Sequence, residues 1–141
     1  MISTRGRYAL RVIVDLAEHR NGEFIPMKDV AERLQISLKY LEKIMPMLSK
    51  AKLVEGVHGK GGGYRLSREP EDLTVWEVLQ VAEGDLAPVA CLSREAVPCQ
   101  RASFCSTLPM WQEYYELTKS FFKGKTIADL MKIRPTGDYI I

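Results

Sequence analysis

Cys91, Cys99 and Cys105 are the three cysteines of a 141-residue chain, and all fall within 15 residues. Thiols gathered this closely can bind a metal, do redox chemistry or simply pack. The odd count argues against a disulfide framework, and the start, MISTRGRYAL, has no apolar stretch behind its basic residues. No run of about 18 apolar residues exists, so no membrane span is expected and the cytoplasm is the expected compartment.

A second group of residues suits a polyanion. His58-Gly59-Lys60-Gly61-Gly62-Gly63 joins two short apolar stretches, Leu53 to Val57 and Tyr64 to Leu66, and reads as a glycine-rich basic hairpin tip. Glycines there supply positive φ and let the backbone come close to a phosphate chain. The charge distribution agrees: residues 1–65 carry 12 Lys and Arg against 7 Asp and Glu, while residues 66–141 carry 8 against 11. A basic first half and an acidic second half point the first half at a polyanion.

The elements that must position these groups follow from spacing. Behind Ser3/Thr4 as N-caps, Ala9, Val12, Ile13, Leu16 and Ala17 share one helical face, and Asn21-Gly22 ends the helix. A short helix from Met27 to Leu34 turns Val30, Ala31 and Leu34 inward and breaks at Gln35-Ile36. Ser37 caps the next, whose apolar stripe is Leu38, Leu41, Ile44/Met45 and Leu48. Pro46 lies inside that stripe, so this helix should kink or end near Met45. Two short helices with a tight connection, followed at once by a hairpin, make a winged helix-turn-helix.

In the second half, Thr74 with Glu77 forms a capping box for a helix from Val75 that ends before Gly84. Pro- and Ser-rich residues 85–104 follow, and Pro109 opens a long helix to Lys123, closed by Gly124. Its stripe is Trp111, Tyr114, Tyr115, Thr118, Phe121 and Phe122, more aromatic surface than a small acidic half can bury by itself, so a twin helix from a second subunit is expected. Thr126 to Asp129 begin a last short helix. The fold class is mainly α with a small β-hairpin wing: a winged helix-turn-helix DNA-binding domain over 1–66, a helical region over 67–132 with a cysteine loop (85–106) and a dimerisation helix (109–123), and a flexible tail over 133–141.

This order of features resembles the Rrf2 family of winged-helix regulators, the IscR, NsrR and CymR type. The matching stretches are Thr4-Arg5-Gly6-Arg7-Tyr8-Ala9, Ile36-Ser37-Leu38 with Tyr40-Leu41-Glu42, the wing Gly59-Lys60-Gly61-Gly62-Gly63-Tyr64, and the cysteine trio followed by Trp111. The resemblance implies a homodimer on a pseudo-palindromic double-stranded DNA operator, with repression as the expected mode. It also implies an iron-sulfur cluster, 2Fe-2S or 4Fe-4S, on Cys91, Cys99 and Cys105, sensing iron, cluster supply, redox state or nitric oxide. Relatives with a fourth ligand often carry histidine three residues after the last cysteine; here that residue is Leu108.

Ser37, Lys39, Tyr40 and Lys43 occupy the first turns of the second helix of the pair, where recognition helices meet the major groove. Glu42 holds the position that in relatives accepts from a cytosine amino group. Arg5, Arg7, His58 and Lys60 are expected on phosphates or in the minor groove. Two alternatives use the same cysteines: a metal-free thiol switch, and a zinc site, although the paired C-x₂₋₄-C spacing of structural zinc loops is missing. No catalytic Ser/His/Asp set or phosphate loop after a strand exists, and no helix start follows Gly61-Gly62-Gly63, so an enzyme is not expected.

Overall fold

The computed structural model describes residues 1–97 and 99–132; the tail proposed for 133–141 lies outside the described residues. Six helices and one hairpin form in chain order. Helix α1 (Thr4–Glu18) is capped by Ser3, whose side chain accepts from the Gly6 amide, and it buries Ala9, Val12, Ile13, Leu16 and Ala17 as its spacing dictates. Helix α2 (Met27–Leu34) ends at Gln35 in the left-handed region, φ 55°, and Ser37 accepts from the Tyr40 amide to start α3 (Leu38–Lys50).

Strands β1 (Val54–Val57) and β2 (Gly63–Leu66) pair antiparallel, Val54 opposite Leu66 and Val57 opposite Gly63. Ile25 forms an isolated bridge on β2, exchanging backbone hydrogen bonds of 2.8 and 2.9 Å with Tyr64. This closeness requires glycine next door: at Gly63 (φ 151°) a Cβ would stand 2.1 Å from the Ile25 carbonyl oxygen. Helix α4 (Val75–Glu83) has the complete Thr74/Glu77 capping box, followed by Gly84. Helix α5 (Leu108–Lys123) begins one residue before Pro109, and α6 (Ile127–Lys132) is tied to the start of α4 by the bridge between Thr74 and Thr126.

One hydrophobic cluster runs from Ala9 to Ile127. Helix α1 sits in its middle, packed on α4 and α6 and also on α2 and β2. Two expectations within α3 need correction. Leu38 is 41% exposed, so the buried stripe is Leu41, Ile44, Met45 and Leu48. The helix also continues past Pro46 to Lys50 and does not end near Met45. Pro46 costs roughly 3 kcal/mol by removing the amide that would bond to the Glu42 carbonyl. Burying Ile44, Met45 and Leu48 returns about 1.5–3 kcal/mol each. Glu42 and Pro46 are both exposed, so water can serve the freed carbonyl.

An ion pair between the buried Asp15 and the exposed Arg33 fastens α2 to α1. Asp15, 4% exposed, accepts from Arg33 Nε at 3.0 Å and from a terminal nitrogen at 2.7 Å. Hydrogen bonding to Asp15 raises the Arg33 pKa further above its already high value. Arg33→Ala removes both hydrogen bonds to the buried carboxylate and leaves it His19 Nδ1 at 3.5 Å. The expected loss is about 2 kcal/mol in urea unfolding, less than a fully buried pair would lose because the Arg33 side chain is 33% exposed. A loss below about 0.5 kcal/mol would show that the pair is not what holds α2.

Candidate DNA-binding face and cysteine loop

Capped by Ser37, α3 presents its first two turns outward: Ser37, Lys39, Glu42 and Lys43 are exposed, while Tyr40 is half-buried. Tyr40 meets Tyr8 of α1 edge-on at 5.4 Å, and Arg11 lies over the Tyr8 ring. The Tyr40 ring is therefore fixed in place by α1. His58 and Lys60 are exposed at the hairpin tip, where Gly59 and Gly61 take positive φ as the sequence suggests. A groove of about 520 Å³ separates α3 from the wing and is lined by Glu42, Met45 and Pro46 on one side and His58 on the other.

At the start of α1 the two arginines differ. Arg7 is exposed and donates to the Thr4 hydroxyl at 2.9 Å. Arg5 donates its Nε to the carbonyl of Ala82 in the last turn of α4, at 2.7 Å. That carbonyl is among those a helix C-terminus leaves unpaired. Arg5 is thus engaged by the protein itself, which its place in a basic motif does not reveal.

Between α4 and α5 the chain is held by polar contacts. Asp85 accepts from the Ser93 hydroxyl, from the Ala87 amide at 2.9 Å and from the Arg94 amide at 3.2 Å. These hydrogen bonds, Ser93 first, hold its pKa below the usual aspartate value. Cys91 lies in the 3-10 turn Ala90–Leu92 that this staple closes, and is exposed. Cys99 is exposed as well, and its carbonyl accepts from the Ala102 amide at 3.1 Å.

Cys105 is half-buried and lies two residues before Thr107, the N-cap of α5. Its sulfur lies 3.6 Å from the Thr107 hydroxyl. Hydrogen bonds from that hydroxyl and from the amides of Thr107 and Leu108 lower the thiol pKa, with Arg101 adding a smaller electrostatic effect. Leu108 therefore serves Cys105 through its main chain. In donor chemistry the three thiols fit an iron-sulfur cluster. The loop does not gather them: among the described residues no three His, Cys, Asp or Glu side chains come together as a metal site.

Helix α5 corrects the expected aromatic stripe. Trp111, Tyr115, Thr118 and Phe122 are half-buried, with Tyr115 6.4 Å from Trp76 of α4. Tyr114 and Phe121 face away, and with Met110 and Leu117 they form a second row that is 52–65% exposed. Met110 and Leu117 were not legible as members of a face, although their spacing from Tyr114 and Phe121 (four, three, four) is helical. Asp85 and Thr107 also escaped sequence reasoning. The proximity of Thr107 to a helix-opening proline was the signal available.

Comparison with known proteins places these features in context. The model of the Rrf2 family, described as an iron-dependent transcriptional regulator, matches residues 2–133. The chain is 36% identical over 131 residues to the HTH-type transcriptional regulator IscR of Vibrio atlanticus (strain LGP32), covering 93% of this chain and 75% of the relative. It is 37% identical over 131 residues to the protein rrf2 of Nitratidesulfovibrio vulgaris, covering 93% and 87%. Among solved structures, CymR, the global cysteine regulator of B. subtilis, superposes with a TM-score of 0.77 at 30% identity, covering 96% of this chain and 98% of that one. IscR of T. potens superposes at 0.76 and 30%, covering 100% and 93%.

The environment of Cys105 has a measurable consequence in metal-free, reduced protein. Alkylation of Cys105 by iodoacetamide, followed against pH by peptide mass spectrometry, should reach its midpoint below that of an ordinary thiol. Thr107→Val removes a donor to the thiolate, so the midpoint should move upward. An unmoved midpoint would mean that the hydroxyl does not act on the sulfur.

Proposed function

The chain belongs to the Rrf2 family of transcriptional regulators and is a DNA-binding regulator rather than an enzyme; from that premise we propose that it is a homodimeric repressor whose operator affinity is set by an iron-sulfur cluster on Cys91, Cys99 and Cys105. In this reading residues 1–66 act as the DNA-binding head, and Ser37, Lys39, Tyr40 and Lys43 enter the major groove. Glu42 accepts from a cytosine amino group. Arg7, His58 and Lys60 meet phosphates or the minor groove, joined by whatever donors Arg5 retains beyond Ala82. The exposed row of α5 pairs with its twin, so that two heads read half-sites about 34 Å apart.

The observation that carries the reading is the position of Cys105. Its sulfur is bonded to the amides and hydroxyl that open α5, the helix with the unpartnered apolar row. When bound, the cluster would supply an iron- and redox-sensitive crosslink among three points of one loop. Cys105 delivers the effect to the start of α5, and Asp85 anchors the other end of the loop at α4. A tenfold change in operator affinity needs about 1.4 kcal/mol, comparable to ordering one or two loop residues at roughly 1–2 kcal/mol each.

Two experiments test the parts separately. Lys60→Ala should weaken binding to all sequences alike and reduce the slope of log affinity against log salt by about one; an unchanged slope removes Lys60 from the contacts. Anaerobically purified protein should be brown, with iron and acid-labile sulfide. Cys91→Ala, Cys99→Ala and Cys105→Ala should each lose the colour, keep the dimer and shift operator affinity several-fold. A colourless, iron-free protein whose affinity follows oxidants would assign the loop to a thiol switch, the alternative that the depressed Cys105 thiol favours. Equal affinities for apo and holo protein on every operator would leave the DNA-binding function alone.

A further inference from the structure

Glu83 is the last residue of α4, one position before Gly84 and two before the Asp85 staple. One oxygen of its carboxylate accepts from the Ser3 amide at 2.9 Å and from the Ser3 hydroxyl at 2.7 Å, across 80 residues of sequence. The same hydroxyl accepts from the Gly6 amide at 3.3 Å, which is the cap of α1. A carboxylate therefore holds the hydroxyl that holds the helix start. Next to it, Arg5 donates to the Ala82 carbonyl.

The contact is close because residue 6 has no side chain. A Cβ at Gly6 would stand 2.1 Å from the Glu83 oxygen, an impossible separation that the flexible carboxylate would relieve by leaving Ser3. Gly6 does not have a positive φ. Its smallness serves this approach and not a special backbone conformation.

From this arrangement we infer that Glu83 is a positioning residue for DNA binding: it transmits the state of the cysteine loop to the N-terminus of α1, and so to Arg5, Arg7 and the Tyr8 that fixes Tyr40. The inference rests on the reading that the loop sets operator affinity. Its physical content is continuity. Asp85 fixes the residues around Cys91 to the start of the loop, Gly84 joins that start to Glu83, and Glu83 grips Ser3. The Tyr8 ring, one helical turn beyond Arg5, meets Tyr40 of the recognition helix. A change at the loop reaches the DNA face through the Asp85 staple, the Glu83–Ser3 contact and the Tyr8–Tyr40 contact, without passing through the second subunit.

The test is a cycle of variants in the full-length dimer: Glu83→Ala, Gly6→Ala, the double variant and Glu83→Gln. Apo and holo operator affinities are titrated at one salt concentration, with dimer state and melting temperature as controls. In Glu83→Ala and Gly6→Ala the apo-to-holo affinity ratio should fall to within about twofold of one, while cluster absorbance and dimer persist. The double variant should be no worse than Glu83→Ala, because without the carboxylate the added methyl meets no oxygen. Glu83→Gln keeps an acceptor oxygen for Ser3 and should retain most of the ratio. Amide exchange gives a readout independent of the variants: in the wild type, protection of Gly6 and Arg7 should differ between apo and holo protein.

A wild-type ratio preserved in Glu83→Ala, or exchange at Gly6 and Arg7 indifferent to the cluster, would overturn the inference. Identical apo and holo curves for the wild type would remove the sensing reading itself, and the role of Glu83 with it. That result is recognisable before any variant is made.

Discussion

The structure depends on α1 being covered from two directions. Ala9, Val12, Ile13, Leu16 and Ala17 are all within 3% of complete burial, and no single neighbouring helix covers that face. Helix α2, β2 and the hairpin's partner Ile25 close one part of it; α4 and α6 close another. At about 1.5–3 kcal/mol for each large aliphatic side chain, α1 cannot shed α4 without losing a sizeable fraction of a small domain's net stability. The winged head is therefore placed relative to α4 by its own core. The polar contacts of Ser3 and Arg5 refine that placement at the N-terminal end of α1.

The second constraint is the reverse of the first. From Gly84 to Thr126 no described residue is buried, although this stretch includes the 16-residue helix α5. A helix of that length is marginal when it has no apolar face to bury. Its aromatic residues reach only half-burial on α4, and Met110, Tyr114, Leu117 and Phe121 remain uncovered. A second copy of the same row would supply the missing burial, because a two-fold interface presents one patch to itself. The chain thus divides into a well-packed part that carries the head and a part whose apolar row is left uncovered.

What could be read from the residues follows the range of the interactions involved. The α1 face, the Ser37 cap and the Thr74/Glu77 capping box are local, and their spacing alone locates them. Pro46 does not end α3 because the cost of a proline is local, whereas the burial of Ile44, Met45 and Leu48 that outweighs it is tertiary. Arg5 reads as a phosphate contact in a basic motif, and its carbonyl partner lies 77 residues away. Ser3 and Glu83 are separated by 80 residues, and nothing periodic connects them. The α5 stripe was recognised as apolar, but its division into a half-covered and an uncovered row depends on where α4 lies. Resemblance supplied the cysteine chemistry; spacing alone left metal, redox and packing roles open.

The position of the cysteine loop now has a mechanical meaning. Its first residues are stapled by Asp85 to the end of α4, which belongs to the well-packed part through Leu79 and Ala82. Its last cysteine is bonded to the start of α5, which belongs to the part with the uncovered apolar row. A loop in which no described residue is buried, set between two such helices, has little stability of its own, so its order responds to small free energies. Under the proposed reading, ligands that shorten or release the loop would change the relation between α4 and α5, and not the fold of either. With α4 continuous with the head and the exposed row of α5 as the proposed dimer surface, that relation would set how the two heads meet DNA. The energy needed is that of a loop, while the leverage is that of two rigid helices.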